Sequence, residues 1–411
     1  MNVRQVVQQA EQLMEQYLDD LKTTVNIDSG TYTKPGIDRV GAYLQERFQS
    51  FGFSTRIDRQ EQYGNHLIAA HTGNAPQGPR ILLIGHIDTV FPAGEVERRP
   101  FAISQQNGRH IATGPGVLDM KSGVLIGLYG LHILIDAQQA NYQSVTFVCN
   151  SDEEIGSPSS RPLIEELARQ SDAAIVLEPG RAKATVVSSR RASGQYRVEV
   201  RGVSAHAGVE PQRGRNAILE LSYQVQKMQA LNGTVPGTTL SVTVIHGGER
   251  TNVVPDYAYF DMDVRASDQA GIKAIEAAMS GVVTQKVLDG TQITLSGRML
   301  SAPFERNKRN AFLVQLAREA GSELGLDIEE LGSGGASDAN NTAAVGLPTI
   351  DGLGAGGGLA HNPGEYVELD YLPTRIALLA GLVEKIGDYK VWMKSKADEG
   401  WEAANIRFTD Q

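Results

Sequence analysis

Five places in this chain of 411 residues carry side chains of the kind that bind divalent cations. They are Gly85-His86-Ile87-Asp88-Thr89-Val90, the glycine-rich stretch from Gly114 through Asp119 to Gly123, Ser151-Asp152-Glu153-Glu154-Ile155-Gly156-Ser157, Glu178 just before Pro179, and Ala360-His361-Asn362-Pro363. Two imidazoles with several carboxylates suit zinc, or other first-row divalent metals such as cobalt or manganese. Singly, each has a bland explanation. A histidine after a strand is more often a hydrogen-bonded structural residue, a Glu-Glu pair is usually a solvated face, and Asp119 could serve as a turn residue or helix cap. Together they are harder to dismiss, because acidic side chains at buried strand ends are costly unless they meet a cation.

The elements that must hold these groups follow from periodicity. Ile81 to Ile84 is a short apolar run ending at Gly85, which predicts a buried strand whose carboxyl end delivers His86 and Asp88. Val145–Cys149 and Ala173–Leu177 predict two more strands, and Val124–Ile135 and Pro162–Gln170 predict helices between them. This alternation implies an α/β domain with a mostly parallel sheet and helices on both faces. In such sheets ligands collect beyond the carboxyl ends of the strands, where most of the candidate donors fall. Upstream, residues 1–24 and 36–51 have helical spacing, with Gly52 as a stop.

The texture changes near residue 186. Val198–Gly202, Leu240–Ile245 and Tyr257–Val264 alternate or are β-branched, and helical stretches near 214–231 and 268–287 lie between and after them. The order β-α-β-β-α-β over 194–300 predicts a compact α+β module of ferredoxin-like topology. After Pro303 the α/β texture resumes with helices at 308–324 and 372–387 around a glycine-rich region reaching 364. The tail from Tyr389 reads as a surface helix or partly disordered. The expected organisation is a discontinuous domain of residues 1–187 and 301–411, interrupted by an inserted domain of residues 188–300.

Bulk properties narrow the class. The chain is too long for one ordinary core, and 41% hydrophobic with 21% charged residues is a globular composition. A net charge of −10 without any basic block argues against nucleic acid. That charge is either ordinary solubility or, in part, the carboxylates of a metal site. The single cysteine, Cys149, cannot form an internal disulfide and sits in a strand-like apolar run. Met1–Asp20 lacks the apolar core of a signal peptide, and no apolar run approaches the roughly 20 residues that span a bilayer. The expectation is a soluble, cytoplasmic chain with neither membrane nor nucleic-acid partner. Many of the 44 glycines cluster at 333–364, which points to tight functional loops.

The combined motifs resemble the dizinc superfamily of glutamate carboxypeptidases, aminoacylases, acetylornithine deacetylases and succinyl-diaminopimelate desuccinylases, over about residues 10–390. The segments around His86 and Asp119, the Asp152–Ser157 run, Leu177-Glu178-Pro179 and His361 carry the likeness. The resemblance implies two zinc ions per subunit, with cobalt or manganese as substitutes. It implies that Asp119 bridges them, that His86 and Glu178 complete one site, and that Glu154 and His361 complete the other. It further implies Glu153 as general base, Asp88 behind the His86 ring, and a cis peptide bond at Asp119-Met120. From the insertion, the likeness implies that His206 reaches the active site of a second subunit in a homodimer to stabilise the oxyanion. Asn252 and Arg265 match positions that contact a substrate carboxylate. His206 could equally be an interface loop residue, and Arg265 a surface salt bridge.

Gly356, within Gly354–Gly358, is a candidate donor of backbone N–H to substrate, or part of a flexible loop. Arg190 and Arg191 could bind an acidic side chain or be merely solvated. Thr89-Val90-Phe91-Pro92, Gly114-Pro115-Gly116 and the 354–358 glycines fit the glutamate carboxypeptidase branch best. The expected reaction is hydrolysis of an amide to release a C-terminal amino acid, glutamate being the first candidate, from a small peptide or N-acyl amino acid. An N-acyl-amino-acid deacylase with the same metals is the second reading. A catalytically inactive metal-binding dimer is the third, and the presence of Glu153 weighs against it.

Overall fold

The computed structural model describes residues 3–180 and 184–398, and side chains within 5–388. The chain divides into two units. The first comprises Met1–Ser188, Arg306–Gly332 and Ser337–Gln411; the second comprises Ser189–Glu305 and Ser333–Ala336. The second thus runs past the expected end at 300 and takes in a short piece of later chain.

In the first unit a six-stranded sheet runs in the order Ser54–Asp58, His66–Thr72, Ser144–Asn150, Arg80–His86, Ala173–Val176, Thr349–Ile350. Its first two pairings are antiparallel and the other three parallel, so the sheet is mixed, with the parallel part at the functional end. Arg80–His86 lies between two parallel neighbours and is buried from Ile81 onward, as a continuous apolar run requires. Helices Lys34–Ser50, Ser122–Asp136 and Asp338–Ala344 pack on the sheet. The expected first helix is two, Val3–Gln12 and Met14–Val25, and the last extends to Asp398. The stretch Val117–Asp136 is 20 residues long with mean hydropathy 1.4, enough by length and composition to cross a bilayer. It is longer than the helix expected from Val124, because the turn around Asp119 and Lys121 breaks the apolar pattern without ending the helical path. Its side chains are mostly buried in the core, among them Leu125, Leu128 and Leu131.

A small sheet has no counterpart among the expected strands. It runs Gly357–Gly358, Tyr366–Glu368, Arg109–Thr113, Ala102–Gln106. Tyr366 pairs with Thr113, so the loop carrying His361 hangs from the strand that leads into Asp119. Two donors far apart in sequence are joined by this ladder.

In the second unit a four-stranded antiparallel sheet has the order Thr238–Gly247, Tyr257–Ala266, Ala192–Arg201, Gln292–Met299. Counted along the chain this is second, third, first, fourth, the ferredoxin-like arrangement. Tyr257–Ala266 alternates between half-buried and buried residues. Ala258, Phe260, Met262 and Val264 therefore share one face and enter a core with helices Ala217–Gln229 and Gln269–Val283.

Candidate metal centre

Five donors converge where three segments leave the sheet and two loops fold back. His86 ends its strand, and its Nε2 lies 3.1 Å from Asp119 Oδ1, 3.9 Å from Glu178 Oε1 and 4.0 Å from Glu153 Oε2. On the other side, His361 Nε2 is 3.1 Å from Asp119 Oδ2 and 3.2 Å from Glu154 Oε2. The two oxygens of one carboxylate therefore face two separate histidines. The Asp119-Met120 peptide is cis.

The donor set fits cations on the structure's own terms. His86, Asp119 and Glu154 can each place one ligand atom within 4.8 Å of the others, and so can His86, Glu153 and Glu178. Glu154 Oε1 is buried with no hydrogen-bond partner, an arrangement that costs free energy unless a cation satisfies it. The protonation balance says the same. Hydrogen bonds to Asp119 and Glu154 raise His361 to about 10. Burial would lower His86, but its contacts with Asp119 and Asp88 and the charge of Glu153 outweigh it and raise its pKa. Burial, then the charge of Glu178, pushes Glu153 up, and burial also raises Glu154. Without a cation the acids share protons held by the imidazoles; metal binding displaces such protons.

The surroundings fix these groups. Asp88 is fully buried, and its carboxylate accepts the Thr31 hydroxyl at 2.7 Å and the backbone N–H groups of Glu153 and Glu154 at 3.2 and 3.3 Å. The nearer partner of His86 Nδ1 is the Asp88 backbone carbonyl at 3.0 Å; the carboxylate is at 3.4 Å. Asp88 therefore orients His86 mainly through its main chain, while its side chain holds the turn bearing Glu153 and Glu154. Asp152 anchors the same turn, accepting from the backbone N–H of Ser159 and Ser160 and from both hydroxyls. Gly354 is needed for close approach: a Cβ there would collide with the carbonyls of Leu177 and Glu178, and its N–H donates to Glu178 O at 2.9 Å. His361 has φ +63°, a left-handed conformation uncommon outside glycine and concentrated at functional sites.

Three further residues are not singled out by the sequence. Glu365 is fully buried, and its carboxylate accepts N–H groups of Leu118, Asp119 and Gly116 at 2.8, 2.9 and 3.2 Å. Burial raises it to about 7 against these bonds. Its position four residues after His361 lets it tie both loops together. Asp338 accepts from Ser157, Asn150 and Asn341. Arg375, wholly buried, donates to the carbonyls of Gly354, Thr185 and Gly352. A lone charge inside an apolar or glycine-rich context is the signal that could have found Glu365 and Arg375.

The second unit holds the other expected residues. His206 is exposed on a short strand whose partner begins at Val253, and Ala207 N–H donates to Asn252 O, so the two candidate segments are adjacent. His206 Nδ1 accepts the N–H groups of Gly208 and Val209, which leaves the proton of a neutral ring on Nε2. Arg265 is engaged by Asp263 through two bonds of 2.8 and 2.9 Å. Arg190 is buried rather than solvated, and it donates to Ser333 Oγ and Gly335 O. In the first unit, Gly356 is buried in a bridge with Gly180, and its carbonyl accepts the Glu368 N–H.

A mixed α/β unit with carboxylates and imidazoles paired around one shared aspartate defines a metallohydrolase. The chain belongs to Peptidase family M20/M25/M40, matched over residues 82–385. It is 28% identical over 375 residues to carboxypeptidase G2 of Pseudomonas sp. (strain RS-16), covering 89% of this chain and 88% of that one. It is also 28% identical to succinyl-diaminopimelate desuccinylase 2 of Shewanella loihica (strain ATCC BAA-1088 / PV-4), covering 84% and 94%. In fold it resembles aminopeptidase PepT from Bacillus cereus ATCC 10987, with TM-score 0.78 and 22% identity over 91% of this chain and 98% of that one.

Proposed function

We propose that the protein is a two-zinc hydrolase that releases a C-terminal amino acid, glutamate being the first to test, from a peptidyl or N-acyl substrate. The observation that carries this reading is the split of Asp119: one oxygen beside His86, the other beside His361 and its partner Glu154. His86, Asp119 and Glu178 would hold one cation, and Asp119, Glu154 and His361 the other. When bound, such a pair supplies Lewis acidity that lowers the pKa of a water and polarises the scissile carbonyl. Glu153, beside His86 Nε2 at 4.0 Å, is placed to take the proton from that water and pass it to the leaving amine. Adjacent side chains diverge, so Glu154 can act as ligand while Glu153 faces the reaction.

His206 offers an exposed Nε2–H as the oxyanion donor, acting in a partner copy's site. The homodimer this requires is supported by the edge strand Thr238–Gly247, where Val244 and Ile245 are exposed, and by Ile218, Leu219 and Tyr223 exposed on helix Ala217–Gln229. Asn252 and Arg265 would recognise the substrate carboxylate, Arg265 exchanging Asp263 for it. An N-acyl-amino-acid deacylase is the second reading, favoured by the similarity to the desuccinylase at the same identity as to the carboxypeptidase. A mass-spectrometric screen of dipeptides, N-acyl amino acids and folate-like glutamates with zinc-, cobalt- and manganese-loaded protein decides between them. Release of free amino acid from none of these would reject both.

A further inference from the structure

His361 is the exposed donor of the centre. Leu359 through Gly364 all face solvent, and the His361 side chain is 55% exposed. Leu359 and His361 both sit in the left-handed region, at φ +60° and +63°, where a residue with a side chain stays only when its surroundings enforce it. The loop's own bonds are short-range: Asn362 N–H donates to Leu359 O, and Asn362 Oδ1 accepts the Gly364 N–H. Such bonds shape the turn without fixing where it stands relative to Asp119 and Glu154.

Ties from firmer ground reach this loop on two sides. At its end, Glu365 accepts the N–H groups of Gly116, Leu118 and Asp119. Nearer the histidine, Arg99 Nη1 donates to the carbonyl of Pro363, two residues from His361. Pro363 has no N–H, so this carbonyl is its one backbone group able to hydrogen-bond. Arg99 is itself clamped: its Nε donates to Glu95, and its guanidinium lies 4.7 Å from the Phe91 ring centroid. Neighbouring Arg98 shares Glu95 but leaves 70% of its side chain exposed, against 20% for Arg99. Arg99 Nη2 is buried with no hydrogen-bond partner, a cost that a solvent-facing arginine would not carry. The base is fixed as well. Arg99 closes the short helix Glu95–Arg98, at whose start Asp28 accepts the N–H groups of Gly94 and Val96 at 2.8 and 3.0 Å.

We propose that Arg99 is a positioning residue, a latch that holds His361 where it meets Asp119 and Glu154 and so sets the affinity of one cation of the pair. The proposal rests on the two-metal reading above and concerns its His361 side. The test is calorimetric titration of zinc into the metal-free protein, which needs no turnover. The binding step that His361→Ala removes identifies the site. Arg99→Met keeps the aliphatic stem beside Phe91 and removes the donors; it should weaken that step by about 10–100-fold and the other by less than about threefold. Arg99→Ala should do the same, while Arg98→Ala, which shares Glu95 without reaching Pro363, should change neither. In a His361→Ala background, Arg99→Met should leave the remaining step as it is, because the two residues act on one site. A general loosening of the fold would instead weaken both steps and would still weaken the remaining one once His361 is gone. Either result overturns the proposal, as does an unchanged His361-dependent step in Arg99→Met. Two zinc steps that are both indifferent to Arg99→Met sink the latch alone; a wild type with no step dependent on His361 sinks the two-metal reading and the latch with it.

Discussion

The two units carry their candidate functional groups in opposite ways. In the first, all the donors but the exposed His361 and half-buried Glu154 are buried, as is Asp88, and hydrogen bonds from distant segments lock the loops around them. In the second, His206 and Asn252 are exposed at a short two-stranded ladder between distant segments, and Arg265 is satisfied by a neighbour on its own strand. Burying carboxylates is costly, so a buried cluster announces a cation even in a chain seen by itself. An exposed histidine bears no such cost and acquires meaning only from what docks on it. If His206 acts as proposed, the first unit holds its donors by itself and the second needs a partner copy to give its parts meaning.

The sharpest way to break this contrast is to remove a group from each side. Glu153→Gln should lower turnover by about 10²–10⁴-fold while elemental analysis still finds two metals per chain. Retained turnover would move the base elsewhere. His206→Ala should lower kcat by about 10²–10³-fold with a smaller change in KM, since an oxyanion donor acts mainly in the transition state. Mixing the two inactive variants should restore part of the activity if His206 serves a partner copy's site. Failure of mixed dimers to recover any would return His206 to a local role.

A subtler difference concerns the scaffold. Glu365 binds three backbone N–H groups around Asp119, so Glu365→Gln would turn an amide N–H₂ toward some of those donors. Zinc affinity, read by competition with a chelator, should fall by about 10–100-fold, the usual effect of losing a group that orients a ligand. His206, by contrast, is held by backbone N–H groups of its own turn, so substitutions beside it should alter kcat without altering zinc affinity. An unchanged zinc affinity in Glu365→Gln would mean that the Asp119 loop holds itself.

Much of this is legible in the sequence because periodicity and burial leave local marks. Ile81–Ile84 reads as a buried strand and is one, and the alternation of Tyr257–Val264 sets one face of the second unit's sheet. The five donors drawn together are those the motifs indicate. What escapes is non-local or non-periodic. Ala102–Gln106 is exposed along its whole length, so the small sheet that ties His361 to Asp119 leaves no apolar pattern. The pairing of Arg375 with three carbonyls, and of Arg190 with the 333–335 loop, joins segments whose proximity no local pattern encodes. For Asp88 the expected hold on His86 Nδ1 is present, and the main-chain carbonyl at 3.0 Å adds to the carboxylate at 3.4 Å, an acceptor that side-chain logic overlooks.

The smallest expected effect lies where the first unit loses and regains the chain. Ser188 ends its first segment and Arg306 begins its second; both donate to Glu330 Oε1, each at 2.6 Å. Burial works to raise the Glu330 pKa, but these two partners and the charge of Arg318 outweigh it and hold it low. A carboxyl depressed in the folded state contributes stability that is fully present above its unfolded value of about 4.3 and is lost as pH falls through the folded value. Because Arg306 is half exposed, solvent screens the pair, and Glu330→Gln should cost about 1 kcal/mol or less in urea unfolding at neutral pH. That difference should shrink toward zero in acid, where the wild-type carboxyl is itself protonated. A gap that persists below the folded pKa would show that the amide disturbs packing, and that the two crossings are fastened by shape rather than by this charge.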